Sequence, residues 1–162
     1  MVGSTLPLGS TDRKTTMTKT IPDRQNPSID VTDQADYWLK TLFAPWVQSL
    51  NLKVISARDG RAELILPFSD QLCREGGTVC GQALMSAADT SMVFAIMSLF
   101  GEFRPTTTVS LNTSFMRAVA TDDVHIEAVV RKPGRTMMFG NIDLTDSQGK
   151  LVAQSTTSYM MM

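Results

Sequence analysis

The most apolar stretch of the chain runs from Gly76 to Gly101, where Ala, Leu, Met and Ile recur around the whole circumference of a predicted helix. A helix that is apolar on nearly all sides is typical of one buried within a fold. Thr78 is the expected N-cap and Gly101 the expected C-terminal stop. Asp89 is the single charged residue of the stretch, and a carboxylate there needs pairing, hydrogen bonds or neutralisation. We therefore interpret Asp89 as a functional residue; the alternative is a structural carboxylate bonded to Ser or Thr neighbours.

Helical spacing of apolar residues also marks the segment before it, which begins at Asp33, a predicted N-cap. Pro45 has no N–H and clashes with the preceding turn, so it is predicted to kink this helix or to restart it. The apolar positions are Leu39, Leu42, Phe43, Trp46, Val47 and Leu50. We expect the segment to cover a sheet, and we favour plain core packing over direct contact with a substrate.

Alternating apolar and polar residues predict strands on both sides of the long helix. Before it, two strands flank Asp59-Gly60, a strong hairpin signal, and the second of them directs Ala62, Leu64 and Leu66 inward. After it come TTVSLNTSFMRAV, VHIEAVVRK, RTMMFGNIDLTD and LVAQSTTSYM, with Val109, Leu111, Thr113 and Phe115 expected on one face of the first. An antiparallel sheet of about six strands that covers one buried helix predicts an α+β fold.

Residues 1–30 are predicted to be a disordered tail and residues 31–162 a single domain. The tail is rich in Thr, Ser and Pro and has no hydrophobic period, so it cannot bury enough surface to offset its ordering entropy. Met17 is a second candidate for the initiating residue. A resemblance of the tail to an organelle transit peptide is weak, because no Arg-rich amphipathic pattern is present.

Composition and charge narrow the classes of function. A formal net charge of −1 with 19% charged residues gives no sign of a nucleic-acid-binding surface. Two cysteines, Cys73 and Cys80, are too few and too close together for a disulfide framework, so a reducing cytoplasm is expected. A membrane span over the long helix is disfavoured, because a carboxylate in mid-bilayer costs about 2.5–3.5 kcal/mol.

Several motifs, taken in order, resemble the hotdog-fold acyl-CoA thioesterases of the phenylacetate-degradation type. That family has His-Gly-Gly at the start of the helix and an acid in the context "aDta", where this chain has Cys80-Gly81-Gln82 and Ala88-Asp89-Thr90. TVSLNTSFMRAV and VRKPGRTMMFGNIDLTDSQGKLVAQSTTSY resemble its later strands, so the likeness covers about residues 35–160. The resemblance implies a long central helix wrapped by a curved antiparallel sheet. It also implies hydrolysis of an acyl-CoA or aryl-CoA thioester to free acid and CoA.

The residues themselves suggest how such a site would work. The N–H groups and the dipole at a helix N-terminus suit an oxyanion, and Gly81 has no Cβ to keep a carbonyl away. Asp89 would act as nucleophile or as general base, and the sequence leaves both open. Eight residues of one helix span about 12 Å, which is too far for one substrate. A homodimer with two-fold-related antiparallel helices would instead bring Gly81 of one chain beside Asp89 of the other.

Other residues are predicted to line this site. Arg74 stands where some relatives carry an Asn or Gln that polarises the thioester. Cys80, Gln82 and Met85 are expected in the pocket. Arg117 and Arg135 are candidates to contact the CoA phosphates; the alternative is that they sit at solvated strand ends. We expect no metal and no cofactor apart from the CoA of the substrate, and the sequence does not decide between a dimer and a pair of dimers.

Three other functions compete with thioester hydrolysis. Catalysis by Cys80 is disfavoured, because a cysteine nucleophile needs a base and the one histidine, His125, lies in a predicted strand, where we expect it to be exposed. A hotdog hydratase would use a His with an acid, and the helix offers no His. A non-catalytic acyl-CoA or fatty-acid binder remains the alternative, because the tripeptide keeps only its central glycine, Gly81.

Overall fold

The structure, a computed structural model, describes residues 28–162; the tail predicted for residues 1–30 therefore falls almost entirely outside the described residues. The described part contains three α-helices and eight strands. In chain order they are α1 (Ala35–Thr41), α2 (Pro45–Gln48), β1 (Lys53–Arg58), β2 (Arg61–Leu66), β3 (Cys73–Arg74), β4 (Thr78–Val79), α3 (Gly81–Met97), β5 (Thr106–Phe115), β6 (Val124–Pro133), β7 (Met137–Thr145) and β8 (Leu151–Met161).

Six of the strands form one antiparallel sheet in the order β1-β2-β6-β7-β8-β5. The helix α3 packs across the inner face of this sheet, against strands from β1 at one side to β5 at the other. β3 and β4 form a separate two-stranded hairpin. The predicted α+β class is confirmed, and with it the hotdog fold, a central helix against an antiparallel sheet of six strands.

The predicted β1–β2 hairpin is confirmed. Asp59 and Gly60 both have positive φ angles, 51° and 78°, which suits a tight two-residue turn. Ala62, Leu64 and Leu66 are buried on the helix side of β2, as the alternation predicted. The hairpin also receives the start of the described chain, because Val31 N donates to Ala57 O at 2.9 Å.

The helix α3 is shorter at its start than the sequence predicted. It begins at Gly81 with Cys80 as N-cap, whereas Thr78 lies in β4 and caps no helix. The reason is the pair Gly76-Gly77, whose φ angles of 93° and 71° reverse the chain between β3 and β4 instead of opening the helix.

The end of α3 agrees with the prediction. Gly101 has a φ of 71°, and its N–H donates to Met97 O at 3.0 Å, so the chain leaves the helix there. Ser98 follows the last helical residue, and its hydroxyl donates to Ala95 O at 2.8 Å while it accepts from Gly60 N at 2.9 Å. This side chain therefore joins the end of α3 to the β1–β2 turn.

The first helical segment is divided as Pro45 predicted, because α1 ends at Thr41 and α2 restarts with Pro45 as its first residue. The expected N-cap at Asp33 is wrong: Asp33 lies inside a single 3-10 turn, Thr32–Gln34. The carboxylate that fixes this turn is that of Asp30, which accepts from Thr32 N at 2.9 Å and from Thr32 Oγ1 at 2.6 Å.

β5 departs from simple alternation. Thr108 pairs with Tyr159 and Ser110 pairs with Ser158, so Val109 is an extra residue in a β-bulge. Val109 is 57% exposed and Phe115 is 51% exposed, while Leu111 and Thr113 are half-buried. The expectation that all four share one regular face is therefore corrected at Val109, and the bulge lets Thr108 reach the helix.

Candidate active site

Asp89 lies in the middle of α3, on the side that faces β5 and β8, and its side chain is half-buried. Its carboxylate oxygen Oδ1 accepts two hydrogen bonds, one from Thr108 Oγ1 at 2.9 Å and one from the Tyr159 hydroxyl at 2.5 Å. The Tyr159 hydroxyl also lies 2.9 Å from the backbone carbonyl oxygen of Asp89. The carboxylate predicted from the sequence thus has partners from two neighbouring strands.

Tyr159 remains a hydrogen-bond donor over a wide pH range. Its ring is buried, with 1% of its surface exposed. Burial raises the pKa of Tyr159 well above its usual value, and the charge of Asp89 and its hydrogen bond to the hydroxyl raise this pKa further. A hydrogen bond with Thr108 acts in the opposite direction, with a smaller effect. The hydroxyl therefore keeps its proton beside the carboxylate.

A groove of about 430 Å³ opens beside Asp89. It lies between α2 with the loop before it, α3 and β5. The lining residues are Phe43, Trp46, Val47, Gln82, Met85, Ser86, Asp89, Thr90, Thr108 and Leu111. The groove brings Gln82, Met85 and Asp89 together, three of the residues that the sequence singled out.

The aromatic segment before β1 has two roles. Phe43 stacks on Phe94 of α3, with ring centroids 5.8 Å apart, which is core packing as expected. Phe43, Trp46 and Val47 also line the groove, and Trp46 is 64% exposed. Core packing alone therefore does not describe this segment.

The N-terminus of α3 offers free hydrogen-bond donors. The first bond within the helix joins Leu84 N to Cys80 O at 3.3 Å. No side chain caps this end, and residues 28–162 supply no acceptor to the N–H groups of Gly81, Gln82 and Ala83. Such a terminus, with its positive dipole end, suits a negatively charged oxygen.

Gly81 is packed against another residue of its own chain. A Cβ built on Gly81 would stand 3.1 Å from Cζ of the Phe115 ring. Phe115 therefore occupies the space beside the Gly81 Cα that was expected to admit the carbonyl of a substrate. Cys80, one residue earlier, is partly buried and packs against the core.

The remaining predicted residues lie apart from this groove. Arg74, Arg117 and Arg135 are exposed, and none of them lines it. His125 is exposed on β6, where it pairs with Ile65 and Thr145, while Leu64, Ile126 and Leu144 face the helix. His125 and the helix therefore lie on opposite faces of the sheet, so His125 cannot serve as a base for Cys80.

Sequence reasoning missed Thr108 and Tyr159. Strict alternation through β5 conceals Thr108, because the bulge at Val109 is what lets its hydroxyl reach Asp89. Tyr159 could have been found, since Ser155, Thr157 and Tyr159 alternate along β8 and all three are buried.

Two features are absent from residues 28–162. Between Ser28 and Met162, no three His, Cys, Asp or Glu side chains gather closely enough to hold a metal ion. In the same range, every helix is too short or too polar to cross a membrane.

Comparison with known proteins gives consistent results. The family model described as "Thioesterase superfamily" matches residues 76–153. A candidate esterase of Saccharolobus solfataricus is 28% identical over 113 residues, which are 70% of this chain and 80% of that protein.

Solved structures agree with this match. Zebrafish thioesterase superfamily member 2 has a TM-score of 0.73 at 28% identity, covering 81% of this chain and 98% of its own. The PaaI protein of the Escherichia coli phenylacetic acid degradation operon has a TM-score of 0.71 at 21% identity, covering 80% of this chain and 91% of its own. A Streptococcus pneumoniae hypothetical thioesterase, solved with coenzyme A, has a TM-score of 0.68 at 18% identity, covering 80% and 96%. The last two show likeness of fold alone.

Proposed function

Because the chain is a hotdog-fold member of the thioesterase superfamily, we propose that it hydrolyses the thioester of an acyl-CoA or aryl-CoA to a free acid and CoA. The observation that carries the proposal is the Asp89 carboxylate, which is half-buried in mid-helix, held by two hydroxyl groups, and lies on the wall of a groove. A carboxylate that is fixed beside a cavity is what an activated nucleophile or a general base requires.

The proposed chemistry uses two groups, the Asp89 carboxylate and the Gly81 N–H. In the general-base route, Asp89 takes a proton from water, the water oxygen bonds to the acyl carbon, the C–S bond breaks, and the departing CoA sulfur receives the proton. In the nucleophilic route, an Asp89 oxygen bonds to the acyl carbon, the C–S bond breaks, and the departing CoA sulfur takes a proton from water. A water molecule then cleaves the anhydride into the free acid and the Asp89 carboxylate. In both, the Gly81 N–H stabilises the negative charge on the carbonyl oxygen.

The site is proposed to lie between two copies of the chain. Gly81 and Asp89 are separated by about 12 Å along α3, so they cannot act on one thioester within a subunit. β5 is an edge strand of ten residues whose outer side pairs with no other strand of residues 28–162. Pairing of β5 with β5 of a second copy would satisfy that edge and would set two α3 helices side by side in opposite directions.

The groove supports an apolar acyl or aryl group as the part of the substrate held near Asp89. Phe43, Trp46, Val47, Met85 and Leu111 supply most of its apolar surface. Aromatic rings and flexible methionines accept ring-shaped and chain-shaped groups alike. The CoA part would then lie outside the groove, where Arg117 and Arg135 remain candidates to contact its phosphates. If Arg117→Ala and Arg135→Ala leave KM for CoA esters unchanged, those two contacts are excluded.

The first experiment measures release of free thiol from a panel of acyl-CoA and aryl-CoA esters, with Asp89→Asn as the matched control. We expect hydrolysis by the natural chain and almost none by the variant, which keeps the shape of the side chain. Binding of the same esters without any thiol release would contradict the proposal and favour the alternative, a non-catalytic acyl-CoA or fatty-acid binder.

The second experiment tests the shared site by mixing two inactive chains. Gly81→Pro removes the proposed donor, while Gly81→Ala adds the same Cβ and keeps the N–H, so it serves as the control for packing against Phe115. Unfolded and refolded together in equal amounts, Asp89→Asn and Gly81→Pro chains should recover about a quarter of the natural activity, since half of the dimers would hold one intact site of two. No recovery would exclude a site shared between chains.

A third measurement separates the two routes. Under single-turnover conditions in 18O-labelled water, the nucleophilic route leaves 18O in the Asp89 carboxylate, because water cleaves the anhydride there. The general-base route leaves Asp89 unlabelled and puts the label in the released acid.

A further inference from the structure

The two oxygens of the Asp89 carboxylate have different surroundings. Oδ1 accepts hydrogen bonds from Thr108 and Tyr159. No donor from residues 28–162 bonds to Oδ2, and no buried side-chain oxygen in this part of the chain lacks a partner. Oδ2 is therefore in contact with the solvent of the groove that Asp89 lines.

We infer that Tyr159 is a positioning residue, whose hydroxyl holds Oδ1 of Asp89 away from the groove so that Oδ2 is the oxygen that reacts or takes the proton. The inference rests on the proposed function, since it assigns separate roles to the two oxygens of the proposed catalytic group. Tyr159 would act through Asp89 and not by touching the substrate, because Tyr159 does not line the groove.

The fixed position of the Tyr159 ring supports this role. The ring is 1% exposed and lies on the inner face of β8, between Met138 of β7 and Thr108 of β5 in the register of the sheet. Its hydroxyl is within hydrogen-bond distance of both Oδ1 and the backbone oxygen of Asp89. The hydroxyl has one proton to donate and lies against both the carboxylate and the backbone of Asp89, so the carboxylate cannot rotate without losing its bond to Tyr159.

The neighbouring hydroxyl groups of the same face do not share this role. Thr157 Oγ1 donates to the backbone oxygen of Ser110 at 2.7 Å. Ser155 Oγ bonds to Thr113 Oγ1 at 2.8 Å. Both hydroxyls are satisfied without Asp89, so the face offers a matched control: Thr157 lies two residues before Tyr159, on the same side of the same strand, and is also buried.

The test compares Tyr159→Phe, which removes only the hydroxyl, with Thr157→Val, which removes a buried hydroxyl that does not touch Asp89. We expect Tyr159→Phe to lower kcat by about 10-fold to 100-fold with KM changed less than about twofold, because a misplaced reacting group loses rate and not substrate binding. Thr157→Val should change neither constant by more than about twofold. If the two variants lose kcat equally, Tyr159 has a merely structural role and the inference is wrong.

A crystal structure of Tyr159→Phe gives a readout that does not depend on activity. We expect the Asp89 carboxylate to leave its original position or to occupy two rotamers, while in Thr157→Val it stays in place. An unmoved carboxylate in Tyr159→Phe overturns the inference, whether or not the natural chain hydrolyses thioesters. If Tyr159→Phe does not fold, Thr108→Val leaves Tyr159 as the one donor to Oδ1 among residues 28–162, and we expect the carboxylate to keep its position in that crystal structure. A carboxylate displaced in Thr108→Val would show that Thr108 holds Oδ1, and the inference would be wrong.

The outcomes also separate this inference from the proposed function. Absence of thiol release by the natural chain refutes the proposed hydrolysis, and the crystal structures still decide whether Tyr159 sets the carboxylate. Hydrolysis that Asp89→Asn abolishes and Tyr159→Phe leaves unchanged refutes the role of Tyr159 and leaves the proposed hydrolysis in place.

Discussion

The inner face of the sheet has two halves of different chemistry, and both pack against α3. On β2, β6 and β7 the residues that face the helix are apolar and buried, namely Ala62, Leu64, Leu66, Val124, Ile126, Ala128, Ile142 and Leu144. On β8 and β5 most of the corresponding positions carry hydroxyl groups, namely Ser155, Thr157, Tyr159, Thr108 and Thr113, with Ala153 and Leu111 as apolar members. One helix thus has an apolar partner surface on one side and a hydrogen-bonding one on the other.

Burial alone therefore does not distinguish the part of this fold that provides stability from the part that forms the site. The hydroxyl groups of the second half bond to one another, to backbone oxygens or to Asp89, so they do not carry the penalty of unsatisfied polar groups. The apolar half gains by excluding water, whereas the hydroxylated half gains by fixing geometry.

The largest effect is expected at the carboxylate itself. Asp89→Asn should lower kcat by about 1,000-fold, or about 4 kcal/mol of transition-state stabilisation. Its free energy of unfolding should change by no more than about 1 kcal/mol, because the Asn oxygen can still accept from Tyr159 and Thr108. Steady-state kinetics and urea denaturation check the two numbers. A large loss of stability would mean that Asp89 has a structural role.

The opposite pattern is expected for Leu64→Ala on the apolar half. Leu64 is almost fully buried on β2, under α3, and its truncation leaves a cavity that should cost about 3 kcal/mol of unfolding free energy. At a temperature where the variant is folded, KM and kcat should stay within about threefold of the natural values. Chemical denaturation and thioester hydrolysis on the same sample test both points, and a selective loss of kcat would contradict the division.

A smaller loss of stability is expected from Gly140→Ala on β7, beside Met92 of the helix. An added Cβ would stand 2.3 Å from the Met92 methyl carbon and 2.9 Å from the backbone oxygen of Val129. Overpacking of this kind should cost about 2 kcal/mol.

The contact with Met92 provides its own control. Met92→Ala destabilises by leaving a cavity, but combined with Gly140→Ala it should cost less than the sum of the two single changes, because the Cβ then has room. Thermal unfolding of the four chains gives the coupling. Strict additivity would show that the helix and sheet are not in tight contact there.

The smallest effect is expected from Ser155→Ala on the hydroxylated half. The change removes one hydrogen bond to Thr113, whose own hydroxyl is half-buried and can turn to water, so the loss should be about 1 kcal/mol. Urea denaturation measures it. A loss as large as that of Leu64→Ala would remove the distinction between the two halves of the face.

Much of this fold could be read from the sequence because its local signals agree with its tertiary structure. Asp59-Gly60 marks a tight hairpin, Pro45 marks a helix start, and the alternation through Leu64 and Ile126 marks the inner face. Asp89 stands out because no other charge interrupts the long helix. In each case a property of a few consecutive residues determines the outcome.

The features that sequence reasoning missed depend on pairing between distant strands. Gly76-Gly77 could open a helix or turn a hairpin, and only the pairing of β3 with β4 decides for the hairpin. Thr108 reaches Asp89 through a bulge, which alternation does not reveal. The place of Tyr159 beside Asp89 depends on a contact across 70 residues of chain.

The hydrogen bonds of Ser98 fix the end of α3 that lies far from the groove, so any tilt of the helix would pivot there. Ser98 joins the last turn of the helix to the β1–β2 turn, and it lies about 13 Å beyond Asp89 along the axis. Each degree of tilt about that pivot would displace the carboxylate by about 0.2 Å, a distance that matters for a reacting group. Substitutions in the β1–β2 turn, outside the groove, are therefore expected to change turnover by moving Asp89.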